Sequence, residues 1–306
     1  QEQIMAKFIM AGPLQAVGFI LLFSVLSLFL PLMGLLGNAA IGLITLRMGW
    51  RRGLLIAMIS SAVLGGLSLL LQMNPFVGFG FSMLTWLSVI LLATLLGNSV
   101  SWSKTLTVLL AITVGAVLLF HLQVSDPVAF WQNQPLWMQF VEVAKSMQVM
   151  PAEMPASEQQ QLMDNAASIL SGSIAGAISG LLILSLLIAR HWQAMLYNPG
   201  GFSAEWRELQ PGKPAALLMI AVITLALFSQ QITAINMVFA GLTVFLFQGI
   251  ALVHGLVALL QQHKAWLIGM YILLFLMPAH GGILLAAFGI IDSLAGFRSQ
   301  IKARKR

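Results

Sequence analysis

One carboxylate lies inside an apolar stretch near the end of the chain, and it is the first candidate for chemistry. Asp292 is the only charged residue in the segment Gly289–Phe297. A charged side chain at membrane depth is costly, so it indicates a proton or ion site unless a basic side chain neutralises it. We favour a structural ion pair with an arginine predicted near the same helix ends: Arg47, Arg51 or Arg298.

Five polar side chains are predicted at a common depth near the outer ends of the helices. They are two histidines, two glutamines and one asparagine: His121, Gln230, Gln231, Asn236 and His280. Together, these donors and acceptors can line an outward-facing pocket that binds a small solute. Each can instead satisfy the free backbone groups of a helix end. The second interpretation is at least as well supported for any one of them.

Motifs of known enzyme chemistry are absent from the sequence. It contains no Gly-x-x-x-x-Gly-Lys-[Ser/Thr] phosphate loop, no His-Glu-x-x-His and no Gly-x-Ser-x-Gly. It has no cysteine, and its five histidines are scattered. We therefore expect no catalytic residue, metal or cofactor, and an intramembrane enzyme is the least favoured of three hypotheses.

The amino-acid composition indicates whether these residues lie in a soluble protein or in a membrane protein. Of the 306 residues, 59% are hydrophobic and 8% are charged, with a mean hydropathy of +0.94. Soluble domains carry about 25% charged residues, so a soluble globular protein is excluded. The long uncharged runs predict membrane-spanning helices, because about 20 apolar residues cross a hydrocarbon core of about 30 Å.

The apolar runs predict an all-α, polytopic transmembrane helical bundle. Its expected content is about eight full spans and two short or re-entrant helices. The expected helices cover 7–30, 34–45, 54–71, 79–96, 106–122, 166–189, 215–228, 235–260 and two halves of 265–297. Pro31 and Gly34 break the first run, and Pro278 breaks the last. Whether the hairpins at 8–46 and 265–297 cross the membrane or re-enter it stays open.

The charges divide unequally between the two sides of this map. Counting crossings puts 14 of the 15 lysines and arginines on one side, and Lys145 with five of the nine acids on the other. The cytoplasmic loops of multi-pass membrane proteins carry an excess of lysine and arginine. The basic side is therefore predicted to be cytoplasmic, and both termini are predicted to be there.

The same map predicts three parts of the chain. Residues 1–122 form an N-terminal helical membrane core, and residues 123–165 form an extracytoplasmic connector. Residues 166–306 form a second helical membrane region that ends in a basic cytoplasmic tail. Topology is the default explanation of the tail's charge, and binding of anionic headgroups or an acidic partner is the alternative. Nucleic-acid binding is not expected, since no aromatic platform or known fold supports it.

The connector contains a predicted amphipathic helix that begins at Pro135. Its apolar residues recur at helical spacing: Trp137, Phe140, Val141, Ala144 and Met147. Such a helix is typical of the membrane–water boundary. Pro151 and Pro155 are expected to end it, and Ser157–Gln160 predicts a capping box that opens the next helix. We favour a packed connector that seals the bundle over a lid on an outward cavity.

The helix after the connector carries glycine at every fourth position. Gly172, Gly176 and Gly180 share one face of it. Small residues at this spacing let two helix backbones approach closely in lipid. We expect the neighbouring helix to belong to the same chain, with a partner subunit as the alternative. Asn38 and Gln248 lie deeper, where single polar side chains commonly bond between helices.

Three short motifs carry a resemblance to a known family. They are Leu46-Arg-Met-Gly-Trp-Arg-Arg-Gly53, Leu196-Tyr-Asn-Pro-Gly-Gly-Phe202 and Gly289-Ile-Ile-Asp-Ser-Leu-Ala-Gly-Phe-Arg298. The chain resembles the YybS-like family of uncharacterised bacterial inner-membrane proteins. That family is distantly similar to the substrate-binding S components of energy-coupling-factor vitamin transporters and to the rod-shape protein MreD. The resemblance implies a bacterial inner membrane, and a front half similar to the compact core of an S component.

Two functional hypotheses remain from the sequence. The first is a transport-type, small-solute-binding subunit that partner proteins energise, with a cytoplasmic partner docked on the Arg47–Arg52 loop. The second is a non-transporting scaffold in cell-envelope assembly, with the glycine stripe and the outer amphipathic helix as its contact surfaces. A polar cavity open to the outside favours the first, and a solid, fully packed bundle with an exposed glycine stripe favours the second. The lipid bilayer is a partner in both.

Overall fold

The computed structural model describes residues 2–147 and 154–304, and all regular secondary structure in these residues is helical. The predicted all-α bundle is confirmed. Its helices are α1 (Glu2–Met10), α2 (Pro13–Leu26), α3 (Gly34–Met48), α4 (Trp50–Leu70), α5 (Pro75–Ser99), α6 (Trp102–Gln123), α7 (Pro127–Gln132), α8 (Pro135–Ser146), α9 (Ala156–Ser168), α10 (Leu170–Tyr197), α11 (Gly201–Arg207), α12 (Lys213–Ser229), α13 (Ile232–Leu259), α14 (Ala265–Leu276), α15 (Pro278–Ala295) and α16 (Phe297–Arg304).

The protein is a multi-pass integral membrane protein. Seven helical segments within the described residues are long and apolar enough to cross a bilayer: Pro31–Met48, α4, Gly78–Ser99, α6, α10, α13 and α15. Three further apolar helices are shorter, namely α2, α12 and α14. The ten apolar segments expected from the sequence are present, but three of them are short where two were expected.

The first hairpin differs most from its prediction. A single helix was expected from Lys7 to about Leu30, but the chain breaks at Gly12, whose extended backbone (φ 171°) separates α1 from α2. Pro13 then opens α2, because proline lacks the N–H that a preceding turn would need. At about 1.5 Å per residue, the 14 residues of α2 reach about 21 Å. The following helix is longer than expected, because a 3₁₀ turn at Pro31–Met33 leads directly into α3.

Helices α10 and α13 form the centre of the bundle. Helix α10 packs on α3 and α13, and α13 also packs on α15, α6 and α12. Their core side chains include Ile183 and Leu186 of α10 and Val244 and Phe245 of α13, all fully buried. Many apolar side chains on the outer helices are exposed, as expected where lipid surrounds the bundle.

Contacts between loops define two ends of the bundle. We call the first the basic end: there the turn after α3 meets the end of α10, and α11 meets the start of α16. The contacts are Arg47 with Tyr197, Glu2 with His191, and Arg298 with the Arg207 carbonyl. The second is the acidic end, which carries the connector helices α7, α8 and α9. The predicted separation of the connector from the basic loops therefore agrees with these contacts.

The connector helices have a small core of their own. Trp137, Val141 and Ala144 of α8 pack with Ala167 of α9, and all four are buried. Phe140 and Met147, expected on the same apolar face, are 52% and 70% exposed. The amphipathic helix is present, but only part of its apolar face packs against protein.

The boundaries of the connector helices also differ in detail from the prediction. Helix α8 ends at Ser146, whereas Pro151, one of its expected terminators, lies outside the described residues. The expected capping box is wrong: α9 begins at Ala156, one residue before Ser157, and its N-cap residue Pro155 has no side-chain cap. The Pro155 carbonyl instead accepts the Glu158 and Gln159 N–H groups.

Candidate functional site

The buried acid is paired at the basic end. Asp292 is 1% exposed, Arg298 is 4% exposed, and Arg298 Nη2 lies 2.6 Å from Asp292 Oδ2. Gly296 makes this approach possible, because its left-handed backbone (φ 65°) ends α15 and reverses the chain. Asp292 Oδ1 also accepts the Phe297 N–H at 3.1 Å, at the start of α16.

Of the three predicted partners, the structure selects Arg298. Arg47 and Arg51 are wrong as partners of Asp292, because the turn after α3 holds them at other contacts. Arg47 Cζ lies 4.1 Å from the centroid of the Tyr197 ring. Arg51 Cζ lies 5.5 Å from the ring of its neighbour Trp50. Arg298 has the advantage of sequence proximity, since the αL turn brings it back over Asp292 after six residues.

Helix α13 completes the shell around the carboxylate. Gln248, fully buried, donates from Nε2 to Asp292 Oδ2 at 3.3 Å and accepts from Ser293 Oγ at 2.9 Å. This is the interhelical bond predicted for Gln248. Separating the two partners of a buried ion pair would leave each charge buried without its counter-charge, which is strongly destabilising. The arrangement therefore fixes α15 and α16 to α13.

Arg298 also binds the chain between α10 and α12. We call residues 201–211 the strap. Arg298 Nη1 donates to the Arg207 carbonyl at 2.6 Å, and Nη2 donates to the Leu209 carbonyl at 3.2 Å. Close packing accompanies these bonds: a Cβ on Gly255 would lie 2.7 Å from the Arg207 carbonyl oxygen. One guanidinium thus joins α16, α15 and the strap.

A second arginine fixes the other half of the strap. Arg190 of α10 makes a bidentate pair with Glu205, with Nε and Nη2 lying 2.8 and 2.7 Å from its two oxygens. The Trp102 indole also donates to Glu205, at 3.3 Å. Planar bidentate pairs of this kind fix orientation as well as distance. The strap is therefore held from α10 and α6 at one point and from α16 at another.

The start of α6 supplies the last attachment. The hydroxyls of Ser103 and Thr107 donate to the Pro211 carbonyl at 2.8 and 2.7 Å. Leu209, between the attachments, is fully buried. The sequence analysis did not predict the strap. Many of its attachments are hydrogen bonds to backbone carbonyls of the strap, which every residue type has, so no pattern of residue types indicates them.

Pairing of the acids leaves the basic end strongly positive. Its four acids each pair within the chain: Glu2 with His191, Glu205 with Arg190, Glu208 with Lys302 and Asp292 with Arg298. Nine other described lysines and arginines of this end have no carboxylate partner among the described residues: Lys7, Arg47, Arg51, Arg52, Lys104, Arg207, Lys213, Lys264 and Arg304.

The turn between α3 and α4 concentrates these cations beside exposed apolar side chains. Gly49 (φ 86°) allows the two helices to meet with a single intervening residue. Arg47, Arg51 and Arg52 are exposed. Guanidinium groups that stack on an aromatic ring keep their N–H edges free for carboxylates.

A common outward pocket for the five candidates stays a prediction, and the structure gives the contacts of each. Asn236 is fully buried and committed to helix contacts: Oδ1 accepts the Gly172 N–H at 2.7 Å, and Nδ2 donates to the Ser168 and Ile232 carbonyls. Its three bonds join the end of α9, the start of α10 and α13. Asn236 therefore acts as an interhelical link at the acidic end.

Of the other four candidates, His121 contacts the segment that carries Gln230 and Gln231. His121 Nδ1 lies 3.2 Å from the Thr233 hydroxyl, while its buried Nε2 has no partner among the described residues. Gln230 ends α12 with a left-handed backbone (φ 51°) and lines a groove of about 300 Å³ with six apolar side chains of α12 and α13. Gln231 and His280 are exposed.

The glycine stripe packs against α13 of the same chain. A Cβ on Gly172 would overlap the Asn236 carbonyl, and a Cβ on Gly176 would lie 2.8 Å from Thr243 Oγ1. At Gly180, the nearest atom to such a Cβ would be Thr243 Cγ2, at 3.3 Å. Small residues therefore permit the α10–α13 contact that forms the centre of the bundle. The stripe is buried in this contact, so its expected use as an exposed contact surface of a scaffold is wrong.

Comparison with known proteins adds no relative. No family model matches the chain, and neither a curated protein nor a solved structure matches it. The resemblance to the YybS-like family therefore stays a prediction from three short motifs.

Proposed function

We propose that this membrane protein is a non-transporting scaffold that docks an acidic protein partner on its basic end. One observation carries the proposal: all four acids there are paired within the chain, while nine described cations lack a carboxylate partner. A surface of one sign attracts partners of the opposite sign and accelerates their association. Sidedness follows from the positive-inside rule, which assigns this end to the cytoplasm of a bacterial inner membrane.

The α3–α4 turn is the proposed centre of the docking surface. Trp50 and Met48 are 48% and 49% exposed there, beside Arg47, Arg51 and Arg52. Tryptophan and arginine are the residues most enriched at the energetic centres of protein interfaces. The combination fits an acidic segment that also carries apolar side chains.

Fixed geometry supports docking rather than solute gating. The strap ties α6, α10 and α16 together through Arg190 and Arg298, so the basic end is preorganised for binding. The transport hypothesis relied on polar groups lining an outward pocket. The side chain of Asn236, the most deeply buried of them, makes three hydrogen bonds to helix backbone groups.

A defined acidic peptide tests the proposal. The protein is reconstituted in nanodiscs of zwitterionic lipid and titrated with a fluorescent peptide rich in glutamate that carries one tryptophan. We expect binding that weakens with salt and is lost in the triple variant R47Q/R51Q/R52Q. The matched control is K213Q/K264Q/R304Q, which removes the same charge elsewhere on the basic end and is expected to keep most of the binding.

Two outcomes would contradict docking at the α3–α4 turn. Equal loss in both triple variants would mean that only net charge matters, and no binding by the unaltered protein would remove the support for an acidic partner.

In cells, a photoreactive amino acid at position 48 is expected to form one discrete protein adduct. The adduct should be lost in R47Q/R51Q/R52Q and retained in K213Q/K264Q/R304Q.

A further inference from the structure

A groove at the acidic end lies outside the scaffold surface. It runs between α6 and α10 beneath α7 and has a volume of about 270 Å³. Its lining combines aromatic, aliphatic and a few polar side chains: Ala116, Val117, Phe120, Phe130, Trp131, Gln134, Ser171, Ile174, Ala175 and Ile178. The volume is near the lower end of the ~300–1,000 Å³ that is usual for small-molecule sites.

Helix α7 forms the upper wall of the groove. The Asp126 side chain caps α7 by accepting the Ala129 N–H at 2.9 Å. The Phe120 ring centroid lies 5.2 Å from that of Phe130 and 5.6 Å from that of Trp131. The Trp131 indole donates to Ser171 Oγ at 2.8 Å, which ties α7 to the start of α10. The wall is thus attached to both helices that flank the groove.

The lining changes from polar to apolar along the groove. Gln134 and Ser171 lie at the acidic end, where the Ser171 hydroxyl hydrogen has no acceptor among the described residues. Ala116 and Ile178 lie about one to two helical turns deeper, towards the middle of their helices. An amphiphile oriented across the membrane has the same sequence of polar and apolar parts.

We propose that the groove binds one acyl chain of a bilayer phospholipid from the leaflet at the acidic end. The groove is continuous with the lipid-facing surface, since Ile178 of its lining is 53% exposed and Leu119, next to Phe120, is 59% exposed. Tryptophan at the membrane–water boundary, as Trp131 would be, marks the level of the headgroups. Ser171 and Gln134 then face the ester region, and the chain runs along Ile174 and Ile178.

The test uses a phospholipid with a diazirine in its acyl chain, incorporated into nanodiscs that hold the full-length protein. After irradiation, labelled peptides are identified by mass spectrometry. We expect labelling concentrated on the groove segments of α6 and α10. The variant A116W fills the groove from its exposed α6 wall and should abolish this labelling. The control A111W places the same side chain at another exposed position of α6 and should leave it unchanged.

Two results would overturn the proposal: uniform labelling around α6 and α10, which is the pattern of a general lipid annulus, or groove labelling that survives in A116W. A second variant, A175W, fills the groove from α10, with A177W as its exposed control on the same helix. It decides the matter if A116W does not fold, as judged by the thermal unfolding midpoint. Acidic-peptide binding should be unaltered in these variants, so this proposal and the scaffold proposal fail separately.

Discussion

Single buried contacts determine how much one substitution can disturb this bundle. The Asp292–Arg298 pair is almost fully buried, while the Lys302–Glu208 pair has side chains that are 45% and 53% exposed. Both pairs have N···O distances of 2.6 Å. The two pairs therefore have the same distance but different burial. Comparing them separates the cost of leaving a buried charge unpaired from the weak contribution of a surface pair.

We expect Asp292→Asn to destabilise the protein by about 3–5 kcal/mol, because it leaves the Arg298 charge buried without its carboxylate. Glu208→Gln, the exposed control, should cost at most about 1 kcal/mol. Reversible denaturant unfolding in mild detergent measures both. The double variant D292N/R298Q should recover part of the loss, since it removes both charges. Equal stability of D292N and E208Q would contradict a structural role for the pair.

Residue patterns predicted this site only in part. The isolated acid in an apolar run identified Asp292, and the need for a neutralising cation limited its partner to three arginines. Selecting Arg298 required the αL turn at Gly296 and the carbonyls of Arg207 and Leu209, which depend on tertiary structure. For the same reason, the sequence left Asn236 open between a pocket and a helix end, and its bonds to the Gly172 N–H and the Ser168 carbonyl match the helix-end alternative.

At the level of helices, periodic features were predictable and local breaks were not. The glycine spacing correctly indicated a close approach of α10 to a neighbour, because small residues have few other uses at that spacing in lipid. The break at Gly12 was missed, because residues 8–46 contain no charge to mark a helix end. Proline is tolerated near the start of a helix, so Pro13 alone could not decide where α2 begins.

The α10–α13 contact gives a prediction at this level. Gly172→Ala should destabilise the protein by about 1–3 kcal/mol, because its methyl group would overlap the Asn236 backbone of a well-packed interface. Gly66→Ala on α4 is the control, since a Cβ there would meet nothing within 4 Å. It should be neutral or stabilise by up to about 1 kcal/mol through helix propensity. Thermal unfolding measures both variants, and an equal unfolding midpoint for G172A and G66A would contradict this prediction.

Across the whole molecule, the two ends differ in both charge and bonding. The basic end is held by buried and bidentate ion pairs around the strap, whereas the connector at the acidic end is held by an aromatic cluster, hydrogen bonds and a small apolar core. Composition and the order of the apolar runs were sufficient to predict a membrane bundle and this asymmetry of charge. They were insufficient to predict how each end is built, because those bonds join segments far apart in the chain.

Cysteine labelling tests which end faces the cytoplasm. The chain has no cysteine, so single substitutions at exposed positions report unambiguously: Ser146 on α8, Ser203 on α11 and Arg304 on α16. Because lysine and arginine are retained in cytoplasmic loops, we expect S146C to react with an impermeant maleimide in intact bacterial cells. S203C and R304C should react only after permeabilisation. Reversed labelling would put the basic end outside and remove a cytoplasmic partner from the proposed function. Labelling of S203C and R304C on opposite sides would contradict the common end at which Arg298 binds the strap.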